Sequence, residues 1–199
     1  MPLIDLRGPD RFRRLDSHFG ETMGAFLSRL HGLAVERTSP LVPREESPIT
    51  DWHADAERQF ARVAGRIPAS HLERVRAFLA ATPPREQFAA CLCHNDLGIE
   101  HVLVDPDRAS IQGIIDWSDA AMTDPARDFG LIFRDLGDST VDAVLSHYTK
   151  ASEDLDLIRE RAVFYARCSM LDDLEYGMRT GRSIYTDKSI AALSWLFPS

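Results

Sequence analysis

The stretch that decides the fold is Cys91-Leu-Cys-His-Asn-Asp-Leu-Gly-Ile-Glu-His-Val-Leu-Val-Asp105. It contains two histidines, His94 and His101, on either side of Asp96, and it ends in a short apolar run. A loop of turn-forming residues, 105–110, separates this run from a second apolar run. Two apolar runs joined by such a loop predict a β-hairpin, with the polar residues close to its open end.

The predicted hairpin brings polar side chains of both strands together. Pairing outward from the loop sets Leu103 opposite Ile114. The same register sets His101 opposite Asp116, and paired residues of an antiparallel ladder have Cβ atoms about 5 Å apart. Asp96 lies in the loop just before the hairpin, close enough to join them. The pattern therefore predicts a loop carboxylate beside a His–Asp pair.

This arrangement of side chains suits phosphoryl transfer. One carboxylate accepts or orients the proton of an attacking hydroxyl, while others hold the Mg²⁺ that neutralises a triphosphate. Two other interpretations remain open. His94, Asp96, His101 and Asp116 together suit the Zn²⁺ or Mn²⁺ of a metal-dependent hydrolase. The same residues also fit a purely structural loop that hydrogen bonds hold in place.

The composition is that of a globular protein. With 199 residues, of which 44% are hydrophobic, the chain can form one domain, 1–199, with a real core. A net charge of -8 opposes binding to nucleic acid or anionic membranes and favours cationic or metal-bound partners. Three cysteines make no disulfide framework, and no signal peptide or apolar run of about 18 residues is present. We therefore expect a cytoplasmic protein.

The rest of the chain divides into helical regions on either side of short strands. Apolar residues recur at three- and four-residue steps in the helical regions, whereas each strand is a compact apolar run. We expect an α+β fold, mostly helical, with a small central β-hairpin. Its parts are a helical region 1–82, a catalytic loop and hairpin 88–117, and a helical substrate region 124–199. Helices are expected at 11–34, 52–64 and 69–81, and strands at 88–93, 102–104 and 111–115.

Three ordered motifs resemble the catalytic core of the aminoglycoside phosphotransferase family, which is related to macrolide kinases and protein kinases. They are His94-Asn-Asp-Leu-Gly-Ile-Glu-His101, Ile115-Asp-Trp117 and Asp124-Pro-Ala-Arg-Asp128. The resemblance implies a protein-kinase-like C-terminal lobe, with the family's N-terminal nucleotide lobe absent. It also implies transfer of the γ-phosphoryl group of ATP or GTP, with Mg²⁺ as cofactor, to a hydroxyl of an aminoglycoside-like or macrolide-like molecule.

The resemblance implies a role for each residue of the first two motifs. Asp96 matches the catalytic aspartate, and His94 matches the histidine that shapes its loop. Asp116 matches the metal-binding aspartate, and His101 is the second metal ligand, at a position where the family usually has asparagine. Asn95 stands where the family usually has glycine.

Asp128 is an alternative to Asp116 as the metal ligand, because residues 128–130 read Asp-Phe-Gly, as in protein kinases. It lies beyond the hairpin and cannot pair with His101, whereas Asp116 can. Asp124 precedes a proline, which is typical of a helix N-cap followed by the first helical residue. We therefore expect Asp124 and Asp128 to be structural residues that open the following helix.

Acidic residues are candidates for the acceptor site. In the family, acidic side chains of the C-terminal helical region surround polycationic substrates. The corresponding candidates here are Asp119, Asp172, Asp173 and Glu175, although the last three also fit an ordinary solvated helix face. The expected partner is a cationic hydroxyl acceptor, and a separate N-terminal lobe or partner chain could complete the site. The alternative function is that of a catalytically impaired kinase lobe that binds a cationic small molecule or a protein.

Two further features have simpler predicted roles. Cys91 and Cys93 lie two apart on a predicted strand, so they share one face and fit a buried, reduced pair. His31, near the end of the first helix, fits a histidine whose hydrogen bonds are satisfied within the fold.

Overall fold

The computed structural model describes residues 1–6, 16–45, 47–105, 107, 110–150 and 154–198. This part of the chain is mostly helical with two small antiparallel sheets, which confirms the predicted fold class. The helices are α1 Asp16–His31, α2 Val35–Thr38, α3 Ile49–Val63, α4 Ala69–Ala80, α5 Ala126–Leu136, α6 Asp138–Ser146, α7 Leu155–Thr180 and α8 Ser183–Leu196. The strands are β1 Cys91–Cys93, β2 Val102–Val104, β3 Ile111–Ile114 and β4 Ala121–Thr123.

The first sheet pairs β1 with β4, a strand that we did not predict. In this pairing Cys91 lies opposite Thr123 and Cys93 opposite Ala121. A three-residue strand of Ala, Met and Thr has too short a pattern to be recognised in the sequence. It forms because the chain returns beside β1 after the hairpin, and the pairing holds the segment 119–123 next to the loop that follows β1.

The second sheet is the predicted hairpin of β2 and β3, but its register differs from the prediction. Val104 lies opposite Ile111, two positions from the predicted partner, and beyond an irregularity between Leu103 and Val104 the difference is one position, so that Val102, not Leu103, lies opposite Ile114. An extra residue on β3 at such a bulge shifts every pair beyond it by one position. The predicted pairing of His101 with Asp116 is therefore wrong as a strand register.

The N-terminal residues add to the hairpin rather than to the predicted helical region. The Met1 ammonium donates to the Val104 carbonyl at 3.0 Å, and the Val104 N–H donates back to the Met1 carbonyl at 2.8 Å. Leu3 is fully buried in the core. The N-terminal end is therefore fixed against the strand that leads away from the candidate site.

The helices surround one hydrophobic core. In α1, Phe19, Met23 and Leu27 are buried at the predicted helical spacing, whereas residues 11–15 of the predicted helix lie outside the described residues. Helix α1 packs closely on α6, since a Cβ at Gly20 would lie 2.6 Å from the Ala143 Cβ. Among the helices described, none has the length and apolar character needed to cross a membrane.

Candidate functional site

The site is built on the loop 94–101, which joins β1 to β2. The backbone N–H groups of His94 and Asn95 both donate to the Asp128 carboxylate, at 3.0 and 2.8 Å. Asp128 is fully buried in α5, and His31 Nε2 lies 3.1 Å from the same carboxylate. Asp128 therefore anchors the start of the loop and does not face the site.

The hydrogen bonds of Asp128 also determine its charge. Burial raises the pKa of Asp128, but the hydrogen bond and charge of His31 and the two backbone N–H groups outweigh burial and hold this pKa below its usual value. Asp128 is therefore a buried anion. The Asp-Phe-Gly motif at 128–130 therefore stabilises the buried side of the 94–101 loop, through the Asp128 carboxylate.

Asn95 makes a sharp turn in the loop possible. Its φ is 69°, in the left-handed region that glycine and asparagine tolerate best. The Asn95 side-chain amide donates to the Asp119 carbonyl at 3.0 Å, whereas its buried Oδ1 bonds to none of the described residues. Asparagine thus supplies both the turn that glycine would give and a connection to the segment before β4.

His94 connects the loop to the end of the hairpin. The backbone N–H of Asp96 donates to His94 Nδ1 at 3.3 Å, so this nitrogen is an acceptor and the ring proton is on Nε2. His94 Nε2 donates to the Ile115 carbonyl at 2.9 Å, and the Trp117 ring lies 4.6 Å from the imidazole, centroid to centroid. The histidine therefore holds Asp96 and the residues after β3 in a fixed relation.

Asp96, His101 and Asp116 meet at the mouth of the loop. His101 Nδ1 donates to the Asp96 carbonyl at 2.7 Å and lies 3.4 Å from its carboxylate Oδ2. His101 Nε2 lies 3.6 Å from Asp116 Oδ2. Strand pairing sets His101 opposite Ile115, whose N–H donates to the His101 carbonyl. The backbone of Asp116 has a left-handed conformation (φ 61°), and the side chains of His101 and Asp116 are nevertheless adjacent.

The two carboxylates differ in basicity. Burial raises the pKa of Asp96, and the positive charges of His101 and Arg134 only partly oppose this. A hydrogen bond from the Ser118 hydroxyl, at 2.8 Å, is the main cause that lowers the pKa of Asp116. Asp96 is 39% exposed, so a ligand can reach it. Asp96 is thus suited to take a proton, and Asp116 is suited to stay ionised beside a cation.

The donor set at Asp116 and His101 fits a divalent cation. Adjacent ligands of octahedral Mg²⁺, bound at about 2.0–2.1 Å, lie about 2.9 Å apart, so a small closure of the 3.6 Å separation would be enough. The Asp116 carboxylate suits Mg²⁺, while an imidazole nitrogen suits a transition metal better. Asp116 and His101 are therefore residues that could hold a divalent cation.

A buried ion cluster lies behind the loop and was not found from the sequence. Its members are Glu100, Arg134, Asp135, Asp173 and Lys188. Lys188 Nζ lies 2.8 Å from Asp173 Oδ2 and 3.2 Å from Glu100 Oε2. Arg134 binds Asp173 at 3.0 Å and Asp135 at 2.8 Å. A lysine inside the largely apolar helix α8 was the available signal, but its partners are far away in sequence.

The ion cluster supports the loop at two neighbouring residues. Glu100 is a member of the cluster, and the Ile99 N–H donates to Asp135 Oδ2 at 3.1 Å. Burial and Arg134 lower the pKa of Lys188, but the three carboxylates of the cluster hold it above its usual value. The cluster therefore keeps charges of both signs in the interior, where they fix the second half of the loop.

The predicted acceptor residues lie in different places. Asp173 is buried within the ion cluster, so it does not present its carboxylate to an acceptor. Glu175 pairs with Arg62 at 2.9 Å, and Asp119 is exposed beside the 94–101 loop. Asp172 is exposed and accepts a hydrogen bond from Gln59.

Asp172 lines an acidic cavity of about 250 Å³ between α3, α7 and the start of α5. Its other carboxylates come from Glu45, Asp51 and Asp55, and its cation is Arg127. Arg127 lies 3.4 Å from Glu45 Oε2. Sequence reasoning identified only Asp172, because the other three carboxylates lie more than a hundred positions before it and belong to a segment with no recognisable motif.

Asp124 has a larger structural role than the predicted helix cap. Its Oδ1 accepts the Ala126 N–H at 2.9 Å, as an N-cap residue would, although α5 starts one residue later than expected. Its carboxylate also forms a buried ion pair with Arg161, at 2.7 Å, and accepts a hydrogen bond from the Tyr165 hydroxyl. Asp124 thereby joins the start of α5 to α7.

Comparison with known proteins confirms the resemblance. A sequence model of the phosphotransferase enzyme family matches residues 1–164. Viomycin phosphotransferase of Streptomyces vinaceus is 26% identical over 127 residues, which are 61% of this chain and 44% of that protein.

Solved structures of similar fold agree with the family match. The GDP and kanamycin complex of APH(2")-IIia aligns with a TM-score of 0.68 and 20% identity, over 96% of this chain and 66% of that chain. Macrolide 2'-phosphotransferase type I aligns with a TM-score of 0.58 and 22% identity, over 90% of this chain and 60% of the other. This chain thus spans between 44% and 66% of the lengths of these proteins.

Proposed function

Because the chain belongs to the phosphotransferase enzyme family, we propose that it transfers the γ-phosphoryl group of ATP or GTP to a hydroxyl of a cationic small molecule. The observation that carries this proposal is the meeting of Asp96, His101 and Asp116 at the mouth of one loop. Their different basicities support a division of roles between a proton acceptor and a metal ligand. The acceptor class is aminoglycoside-like or macrolide-like, as in the relatives named above.

Asp96 is the proposed catalytic base. It is accessible, and its raised pKa favours transfer of a proton from an attacking hydroxyl. His101 donates to the Asp96 carbonyl and so holds the loop that carries the base. His94 is the proposed loop-shaping histidine, since its two ring nitrogens bridge Asp96 to the end of the hairpin.

Asp116 and His101 are the proposed ligands of Mg²⁺. When bound, the ion neutralises the charge of the nucleotide phosphates. The hydrogen bond from Ser118 fixes the Asp116 carboxylate, so little ordering of this residue is needed. Phosphoryl transfer also requires a cationic side chain that binds the nucleotide phosphates. Lys188 does not fit this role because it pairs with Glu100 and Asp173 inside the buried ion cluster. We propose that a separate N-terminal lobe or partner chain supplies this cation.

The acidic cavity is the proposed binding site for the acceptor's cationic groups. Its described lining contains four carboxylates and one guanidinium, a balance that favours a positively charged ligand. Asp119, exposed beside the loop, is a further candidate nearer the reacting groups. Kanamycin in one structural neighbour and viomycin in the name of one relative are both consistent with this acceptor class.

The test is phosphate transfer from ATP and from GTP to a panel of aminoglycosides, macrolides and viomycin. We expect Asp96→Asn to lower turnover by about 10²–10⁴-fold, the usual contribution of a general base. Asp107→Asn is the matched control, since Asp107 is an exposed aspartate on the hairpin loop. Equal turnover in wild type and Asp96→Asn would refute the assignment.

A second candidate function is binding without catalysis, and the acidic cavity favours it because the carboxylates that form it need no nucleotide. Calorimetry distinguishes the two functions. A protein that binds a cationic antibiotic but no Mg-nucleotide would be a catalytically impaired binding protein. Binding of both, with no transfer, would also favour this second function.

A further inference from the structure

Three metal-ligating side chains that the proposed function does not use meet behind the 94–101 loop. Cys91 and Cys93 project from the same face of β1, and His31 reaches them from the end of α1. Their ligand atoms all lie within 4.8 Å of one another, and all three residues are buried. The sequence predicted a buried cysteine pair but not the histidine beside it.

The spacing of these atoms matches a tetrahedral metal site. The two sulfurs lie 3.7 Å apart. With Zn–S bonds of about 2.3 Å, a tetrahedral zinc places its two sulfurs about 3.8 Å apart, and a sulfur and a nitrogen about 3.5 Å apart. The sulfurs thus have this spacing already, and the imidazole nitrogen needs to come closer to them by about 1.3 Å at most.

We propose that His31, Cys91 and Cys93 form a binding site for a thiophilic divalent cation, of which Zn²⁺ is the representative. Thiolate and imidazole ligands select such ions, whereas the carboxylate of Asp116 suits harder ones. Each cysteine loses its thiol proton to solvent when the ion binds, His31 binds as the neutral imidazole through its unprotonated ring nitrogen, and three protein ligands leave a fourth position for water. Cys91 is 8% exposed whereas Cys93 is fully buried, so we expect the ion to enter past Cys91.

The site is coupled to the catalytic loop through His31. Its Nδ1 lies 3.0 Å from the Tyr148 hydroxyl, and its Nε2 lies 3.1 Å from Asp128 Oδ2. Since a metal takes the lone pair of one of these nitrogens, binding replaces one of the two hydrogen bonds. Asp128 in turn holds the first two N–H groups of the 94–101 loop. The ion would therefore bind directly behind the anchor of the loop.

The test is titration of the metal-free full chain with Co²⁺, which gives a thiolate-to-cobalt charge-transfer absorption only when sulfur coordinates the ion. We expect this absorption in wild type and its displacement by Zn²⁺. Cys93→Ala and Cys91→Ser should each abolish it or weaken binding by at least about 10–100-fold, the loss typical even of a supporting residue. Circular dichroism and thermal unfolding establish that each variant is folded.

Two controls make the result specific. Cys168→Ala removes the third cysteine, which is buried in α7, and should leave the absorption unchanged. Asp116→Asn should also leave it unchanged, because that site contains no sulfur. A wild-type protein without the absorption, or an equal signal in folded Cys93→Ala, would overturn the proposal, as would loss of the signal in Cys168→Ala.

Discussion

Replacing Lys188 with methionine should destabilise the protein strongly, because Lys188 is one of two cations that balance three buried carboxylates. Without it, Arg134 is the one cation among the described residues that pairs with Glu100, Asp135 and Asp173, so the net charge of the cluster changes from one negative charge to two. The side chain of Lys188 is 8% exposed, and Lys188 Nζ lies 2.8 Å from the Asp173 carboxylate. Removing one partner of a buried ion pair costs about 3–5 kcal/mol, which is a large part of the stability of an ordinary domain.

Chemical denaturation at neutral pH measures this loss. A matched comparison is Lys188→Met combined with Asp173→Leu, which removes one charge of each sign and returns the net charge of the cluster to its original value. We expect the double variant to be less destabilised than the sum of the two single variants, since paired replacement of buried charges by apolar groups is often tolerated. A cost below about 1 kcal/mol for Lys188→Met, or strictly additive effects, would show that Lys188 is not a required counterion of Asp173 in the cluster.

Three other outcomes follow from the site. Because the pKa of Asp128 is held below its unfolded value, the stability that Asp128 contributes is fully present above about pH 4 and is lost as the pH falls further. Asp128→Asn should therefore make the free energy of unfolding depend less on pH in this range. An unchanged pH dependence would contradict this. Asp172→Asn should raise the KM for a cationic acceptor by up to about tenfold, or ~1.4 kcal/mol, and leave kcat nearly unchanged, whereas an unchanged KM would place the acceptor elsewhere. Asp116→Asn should weaken activation by both Mg²⁺ and Mn²⁺ in a metal titration of phosphate transfer, and equal activation curves would exclude it as a ligand.

The sequence predicted the hairpin and the order of helices and strands because these depend on local patterns. Compact apolar runs and turn residues are enough to find β2 and β3, and helical spacing is enough to find α1. The register was not predictable, since neither the pair that closes the loop, Val104 with Ile111, nor the irregularity between Leu103 and Val104 can be recognised in the composition of the strands. Strand β4 was missed for a related reason, because β1, with which it forms the sheet, lies about thirty residues earlier.

The residues of the candidate site were likewise predictable only where they belong to motifs close together in the sequence. Asp96, His101 and Asp116 belong to motifs close in sequence, and the structure brings them together although the predicted strand pairing was wrong. Lys188 and Glu45 were missed because long-range packing alone gives them their partners. The sequence of a helix does not distinguish a charged residue that faces solvent from one that faces an internal counterion.

The acidic cavity has a consequence for how proteins of this kind diversify. Two of its carboxylates, Asp51 and Asp55, are exposed on α3, which packs against α7 and provides none of the hydrogen bonds that hold the 94–101 loop. Substitutions at exposed helix positions usually change stability by no more than about 0.5 kcal/mol. The exposed positions of this helix can therefore vary, and with them the charge pattern offered to a ligand, while the residues around Asp96 stay unchanged. A combinatorial library confined to α3 is accordingly the economical starting point for changing what the protein recognises.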